Sequence, residues 1–221
     1  SKWKCFSPYY LKTDGNESCS NKGNVLFENF YQSCKIYKTV YSNKVYPSRF
    51  HMNKEKYLWW NFETVNSEGD VLLDETNMIN YELYFRWRDS LCSCVNPIRY
   101  PNRFERKGEV EFTLVIDKEN IETRLDYITA RKEIYMKEYI RLVKQLPQYN
   151  ILLEKLKNNK NVMLCEIDVP SKNKQGNYFA ENDFCELTLE KLNLLLEDIT
   201  YPFGHGLCLA YSLLQDLNNK L

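Results

Sequence analysis

The chain has 221 residues, of which 43% are hydrophobic, and its 30 Lys and Arg balance 30 Asp and Glu. That apolar content suffices for a packed core and excludes a disordered chain, while zero net charge excludes the global attraction that drives nonspecific nucleic-acid binding. No apolar run is long enough to span a bilayer and Ser1-Lys2-Trp3-Lys4-Cys5 lacks the apolar core of a signal peptide, so a soluble cytoplasmic protein with no membrane partner is expected.

After an aromatic opening from Trp3 to Tyr10, the stretch Thr13 to Gly23 carries Asp14-Gly15, Asn16 and Asn21 and is predicted as a loop. From Val25 to Tyr37 the residues Leu26, Phe27, Phe30, Tyr31, Cys34 and Tyr37 recur at helical spacing, which predicts a first helix. Tyr57 to Phe62 is rich in aromatics, and Val110, Phe112, Leu114 and Ile116 alternate with Glu111, Thr113 and Val115, so both segments are predicted as strands. Tyr81 to Cys94 between them is ambiguous.

Asp126 to Leu146 forms a long amphipathic run with Ile128, Tyr135, Tyr139, Leu142 and Leu146 on one side. It stops at Pro147, which suits the first turn of a second helix. Asn158-Asn159 is predicted to break that helix, with a buried strand from Val162 to Ile167 and a polar loop from Pro170 to Gly176 beyond it. A short helix from Thr188 to Leu196 follows, with Thr188 able to cap although Lys191 supplies no capping-box acid. Tyr201-Pro202-Phe203-Gly204-His205-Gly206 then leads into an apolar helix from Leu207 to Leu217. Helices and a few strands along one chain without repeats or linkers predict an α+β domain.

Cys5, Cys19, Cys34, Cys92, Cys94, Cys165, Cys185 and Cys208 are too dispersed for a disulfide scaffold and are expected as mostly buried thiols. Cys92-Ser93-Cys94 has no second pair, and His51 and His205 do not complete a tetrahedral set, so no metal is expected.

Chemistry can reside in a few places. Steps of four and seven residues return nearly to one angle on a helix, which lines up Glu28, Gln32 and Lys35, either toward one ligand or as an ordinary solvated side. Gly204-His205-Gly206 at a helix start lets backbone N–H groups approach an anion, or is simply a tight turn. Arg99-Tyr100-Pro101-Asn102-Arg103-Phe104-Glu105-Arg106-Lys107 interleaves basic and aromatic side chains, suiting a modified nucleic acid or nucleotide phosphates, or a solvated loop.

The pattern Leu26-Phe27-Glu28-Asn29-Phe30-Tyr31-Gln32-Ser33-Cys34-Lys35 resembles the NADAR family signature, an acidic residue with Gln four on and Lys seven on. The likeness continues at Asp126-Tyr127 with Arg131 and Ile134, where the family has Asp-Trp, and at Gly204-His205-Gly206 before the last helix. Asn29 stands where the family usually has His, and Asp168 matches a late acidic motif loosely. This resemblance implies one mainly helical domain over residues 1–221 with a small sheet and a long insertion around 46–122. It also implies an N-glycoside hydrolase that removes ADP-ribose or ribose from a base with water as nucleophile, or a noncatalytic module that binds ADP-ribose or a nucleotide. A plain interaction domain, with the helix stripe as surface, is the third possibility.

Cleaving such a bond builds positive charge on the anomeric carbon, which a carboxylate beneath the ribose stabilises. Glu28 is the expected catalytic group, Lys35 or Arg131 is expected to hold the phosphates or keep Glu28 ionised, and Lys35 and Asp126 are the further catalytic candidates. Phe6, Tyr31, Gln32, Tyr127, Arg131, Asp168, Gly204, His205 and Gly206 complete the expected ligand-binding set, with no cofactor.

Overall fold

The structure, a computed structural model, describes residues 3–13, 24–42, 62–98, 110–117, 119–158, 162–164 and 186–219. It is α+β, with helices beside small antiparallel sheets. The chain divides into two compact units, Pro8–Asp126 and Ser1–Ser7 with Tyr127–Leu221, here called the sheet unit and the helical unit.

In the sheet unit, β1 (Lys12–Thr13) pairs antiparallel with β2 (Val25–Leu26), which runs straight into α1 (Phe27–Ser33). The helix expected over Val25 to Tyr37 is therefore shorter. Leu26 is extended and paired at its start, and beyond Cys34 the chain becomes β3 (Lys35–Ile36), paired with β6 (Phe112–Ile116). Strand pairing with distant segments overrides local helical spacing at both ends. The first turn of α1 is satisfied by backbone from upstream, since Phe27 N–H donates to Leu11 O and Glu28 N–H to Pro8 O.

β4 (Thr39–Val40) pairs with β5 (Asp70–Val71). Just before β5, Gly69 has φ +106°, and a Cβ there would lie 2.7 Å from Thr39 Cγ2 and 2.9 Å from Val40 O, so only glycine fits. The ambiguous Tyr81–Cys94 segment becomes α2 (Tyr81–Cys92), begun by Asn80, whose side chain accepts from Leu83 N–H. α2 packs on α1, and Tyr84 Oη donates to Ser33 O at 3.2 Å. Trp87, buried on α2, lies edge-on to both Tyr37 and Phe62 within a core that also takes Ile36, Leu72, Leu91, Ile98 and Leu114. The predicted strand over Val110 to Ile116 is present but begins at Phe112. It turns through Asp117 and Asn120 into β7 (Glu122–Leu125), which sequence reading did not foresee because its Glu, Thr and Arg show no apolar alternation. Sheet order is β3-β6-β7.

The helical unit is built on one long helix with three segments, α3 (Tyr127–Ala130), a π-helical stretch (Arg131–Met136) and α4 (Lys137–Val143). The expected helix from Asp126 to Leu146 thus exists, but it widens in the middle, where Lys137 N–H donates five residues back to Lys132 O. α5 (Pro147–Lys157) begins with Pro147 in its first turn and ends at Asn158, both as read from sequence. α6 (Leu189–Glu197) is capped by Thr188, which accepts from Lys191 N–H, and α7 (His205–Asn218) is the apolar last helix. α7 packs against α4, α5 and α6, burying Leu207, Cys208, Leu209, Ala210 and Leu213.

Two strand readings need correction or stand apart. Val162, Met163 and Leu164 form no strand, and Met163 is 68% exposed, so the start of the expected buried strand is irregular and wet; its remainder, residues 165–167, lies outside the described residues. Of the expected strand from Tyr57 to Phe62, only Phe62 is described, as a core residue outside any strand. Most of the loop from Thr13 to Gly23, the loop from Pro170 to Gly176, Asp168, His51, Cys19, Cys165, Cys185 and the basic stretch Arg99 to Lys107 lie outside the described residues as well. No helix among the described residues is long and apolar enough to cross a membrane.

Candidate functional site

The expected site residues fall in both units, and each unit brings some of them together. In the sheet unit the stripe on α1 is a chain of hydrogen bonds. Gln32 Nε2 donates to Glu28 Oε1 at 2.9 Å, and Lys35 Nζ donates to Gln32 Oε1 at 2.9 Å. Lys35 lies in β3 rather than on the helix, yet the turn at Cys34 keeps its ammonium within reach, and it also rests 4.7 Å from the centroid of the buried Tyr31 ring.

This stripe is not a solvated side. Glu28 is only 8% exposed, and α1 buries all its residues except Gln32, which is half-buried. A carboxylate removed from water persists as an anion only with charge-compatible hydrogen bonds, and the amide of Gln32 links it to the Lys35 ammonium. The arrangement holds a buried carboxyl group with an amide and, through it, an ammonium on one side.

Asn29, beside Glu28, is fully buried and points elsewhere. Its Nδ2 donates to Cys94 O at 3.1 Å and Asn96 O at 3.0 Å, while its Oδ1 accepts from Ile98 N–H at 2.8 Å. It satisfies the irregular segment after α2 and thereby ties that segment to α1. Sequence reading noticed only that Asn29 replaces a family His. The clamp has no local signal because its partners are more than sixty residues away. Asp126 is exposed at the end of the sheet unit, immediately before α3.

In the helical unit Arg131 is 2% exposed, and its guanidinium is spent on backbone. Nη1 donates to Leu195 O, Leu196 O and Asp198 O at 3.3, 2.9 and 2.9 Å, and Nη2 donates to Tyr201 O at 2.8 Å. These carbonyls belong to the end of α6 and the turn after it, where carbonyls lack helical partners. The phosphate contact expected of Arg131 is thus replaced by a structural role, because releasing these donors would strand several carbonyls. Tyr127, 47% exposed, lies against the same guanidinium, with the Arg131 carbon 4.5 Å from its ring centroid.

Phe6 is buried and stacks on Trp3. Its carbonyl accepts from Tyr139 Oη at 2.8 Å, and the Tyr139 ring meets His205 edge-on at 6.4 Å. Phe6 and His205 are therefore neighbours of one buried tyrosine that sequence reading had assigned only to a helix face. Gly204 precedes α7 with φ −73° and ψ 177°, a conformation open to any residue, and no side chain caps the helix there. His205 and Gly206 form its first turn.

Among the described residues no group of three or more His, Cys, Asp or Glu is placed to hold a metal ion. Cys5, Cys34, Cys92, Cys94 and Cys208 are thiols rather than disulfides. No family model, curated protein or solved structure matches the chain.

Proposed function

We propose that the protein is an N-glycoside hydrolase acting on an ADP-ribosylated or ribosylated base, with Glu28 as its catalytic carboxylate. The observation that carries this reading is the hydrogen-bonded Lys35–Gln32–Glu28 chain, which ends on a carboxyl group only 8% exposed. As the bond from the anomeric carbon to the base nitrogen breaks, positive charge grows on the sugar, and a fixed carboxylate in a water-poor setting stabilises it. Water then adds to that carbon, its proton passing to Glu28 or to the departing base nitrogen. Gln32 holds the Glu28 carboxylate in place and is itself held by Lys35. Neither a metal nor a cofactor has a step in this scheme. Thiol cysteines fit a reducing compartment, so the cytoplasm is the proposed location, and the basic stretch Arg99 to Lys107 is the proposed contact if the base belongs to a nucleic acid.

The test is incubation of the purified protein with NAD, ADP-ribose, ADP-ribosylated guanosine and ribosylaminopyrimidines, with products resolved by mass spectrometry. On whichever substrate is cleaved, Glu28→Gln should lower the single-turnover rate by about two to four orders of magnitude while affinity changes much less. Equal rates for the folded variant and wild type would remove Glu28 from the chemistry, and dependence of cleavage on added divalent metal would overturn the mechanism.

One observation favours a second reading, a noncatalytic ADP-ribose or nucleotide module. Asn29 stands where the resemblance expects His, and its amide is fully occupied by the backbone around Cys94, Asn96 and Ile98, so it has no proton to offer a leaving group. Ligand binding without turnover in the same screen would select this reading.

A further inference from the structure

Among the described residues β7 is the outer strand of its sheet, and Glu122, Thr123 and Arg124 are all exposed along it. Backbone direction on this edge follows from two hydrogen bonds. Leu114 N–H donates to Cys34 O at 2.8 Å, so the even residues of β6 face β3; Asp117 N–H donates to Ile121 O at 3.1 Å, so its odd residues face β7. With Val115 opposite Thr123, the backbone groups of Thr123 turn inward to β6, and those of Glu122 and Arg124 turn outward. Their side chains share the sheet face of Ile116 and Leu114, their partners across β6, while Thr123 lies on the other face.

We infer that this edge pairs with the same edge of a second copy of the chain, antiparallel about Thr123. In that register Glu122 of each copy exchanges backbone hydrogen bonds with Arg124 of the other, and the two side chains meet on one face as opposite charges. Thr123 meets its own counterpart on the other face, a favourable cross-strand pair. Charged residues usually protect an edge from pairing. Here their alternation makes the antiparallel self-register complementary, whereas an in-register parallel pairing would set Glu against Glu. The Arg124 guanidinium carbon lies 4.7 Å from the Phe112 ring centroid, and its Nη1 donates to Asn77 O at 3.1 Å. A four-residue strand covers much less than the ~1,200 Å² of a permanent complex, so the dimer is weak and reversible.

Sedimentation equilibrium of the full chain from about 10 μM to about 1 mM should show a monomer–dimer equilibrium that weakens with salt. Glu122→Arg sets Arg against Arg and Arg124→Glu sets Glu against Glu, so each variant alone should raise the dissociation constant about tenfold or more. An equimolar mixture of these two variants restores every opposite pair and should recover a heterodimer near wild-type strength. Far-UV circular dichroism checks that each variant is folded, and amide exchange at Glu122 and Arg124, but not at Thr123, should slow as concentration rises. A wild type that stays monomeric throughout, self-association unmoved by either reversal, or folded variants that fail to recover on mixing would each overturn the inference.

Discussion

Glu28 and Arg131 are both buried charges that the sequence offered as ligand contacts, and they differ in what holds them. Glu28 is supported by side chains, Gln32 and through it Lys35, whereas Arg131 is bound to four backbone carbonyls. A charge held by side chains retains acceptor capacity and can exchange partners without disturbing the chain path. One that gathers carbonyls from a helix end is part of the path itself. Burial is common to both charges; the identity of the hydrogen-bonding partners is where they differ.

The comparison breaks most visibly at Arg131. Arg131→Met should destabilise the protein by about 3–5 kcal/mol, because it leaves the carbonyls of Leu195, Leu196, Asp198 and Tyr201 without their donor. Arg131→Lys should recover only part of this, since an ammonium lacks the planar fork. Chemical denaturation measures both. Glu28→Gln keeps the shape of the site and should change stability by less than about 1 kcal/mol, so a larger loss there would mean that Glu28 too is architecture.

Asn29 sharpens the contrast from within α1. Asn29→Ala should cost about 2–4 kcal/mol by stranding Cys94 O, Asn96 O and Ile98 N–H. Asn29→His should be comparably destabilising, because imidazole cannot reproduce two donors and an acceptor in this geometry. A folded, wild-type-stable Asn29→His protein would show that a histidine fits this position after all.

A smaller effect than at Arg131 or Asn29 is expected at Tyr149 in the helical unit, whose hydroxyl shares a hydrogen bond with Ser212 Oγ at 2.7 Å and donates to Asp216 Oδ2 at 3.0 Å. Burial, together with the Asp216 carboxylate, pushes the Tyr149 hydroxyl well above its ordinary pKa. The folded state therefore holds this proton more tightly than the unfolded chain does. Its contribution is fully present below about pH 10 and is lost as pH rises through the folded value. Tyr149→Phe should cost about 1 kcal/mol at neutral pH and flatten the fall in melting temperature above about pH 10. Thermal melts of both proteins across that range provide the check.

What could be read from the sequence was local. Thr188 as a cap, Pro147 in a first turn, Asn158 as a helix end and the alternation of Phe112, Leu114 and Ile116 all carry their cause within a few residues. The ends of α1 and the existence of β7 depend on distant partner strands, so periodicity misplaced one and passed over the other. The same holds at the site. Glu28, Gln32 and Lys35 do form one hydrogen-bonded line, although Lys35 joins it from β3 rather than from the helix. Whether the line faced water was settled by Asn29 and its partners from Cys94 to Ile98, and by Pro8 and Leu11 capping the helix start. Arg131 gave no warning either, since a basic residue in an amphipathic run looks the same whether it meets a phosphate or a carbonyl.

The π-helical stretch before α4 gives Arg131 its aim in a way that residue identity does not. Such a stretch is equivalent to one residue more than an α-helix of the same length would contain. Forcing the same number of residues to ordinary α-helical pitch would turn α3 and Arg131 by about 100° relative to α4, one residue's worth of rotation. Every clamp residue would still be present, yet Arg131 would be swung away from the end of α6. The clamp is thus specified by the local pitch of the helix as well as by which residue stands at 131.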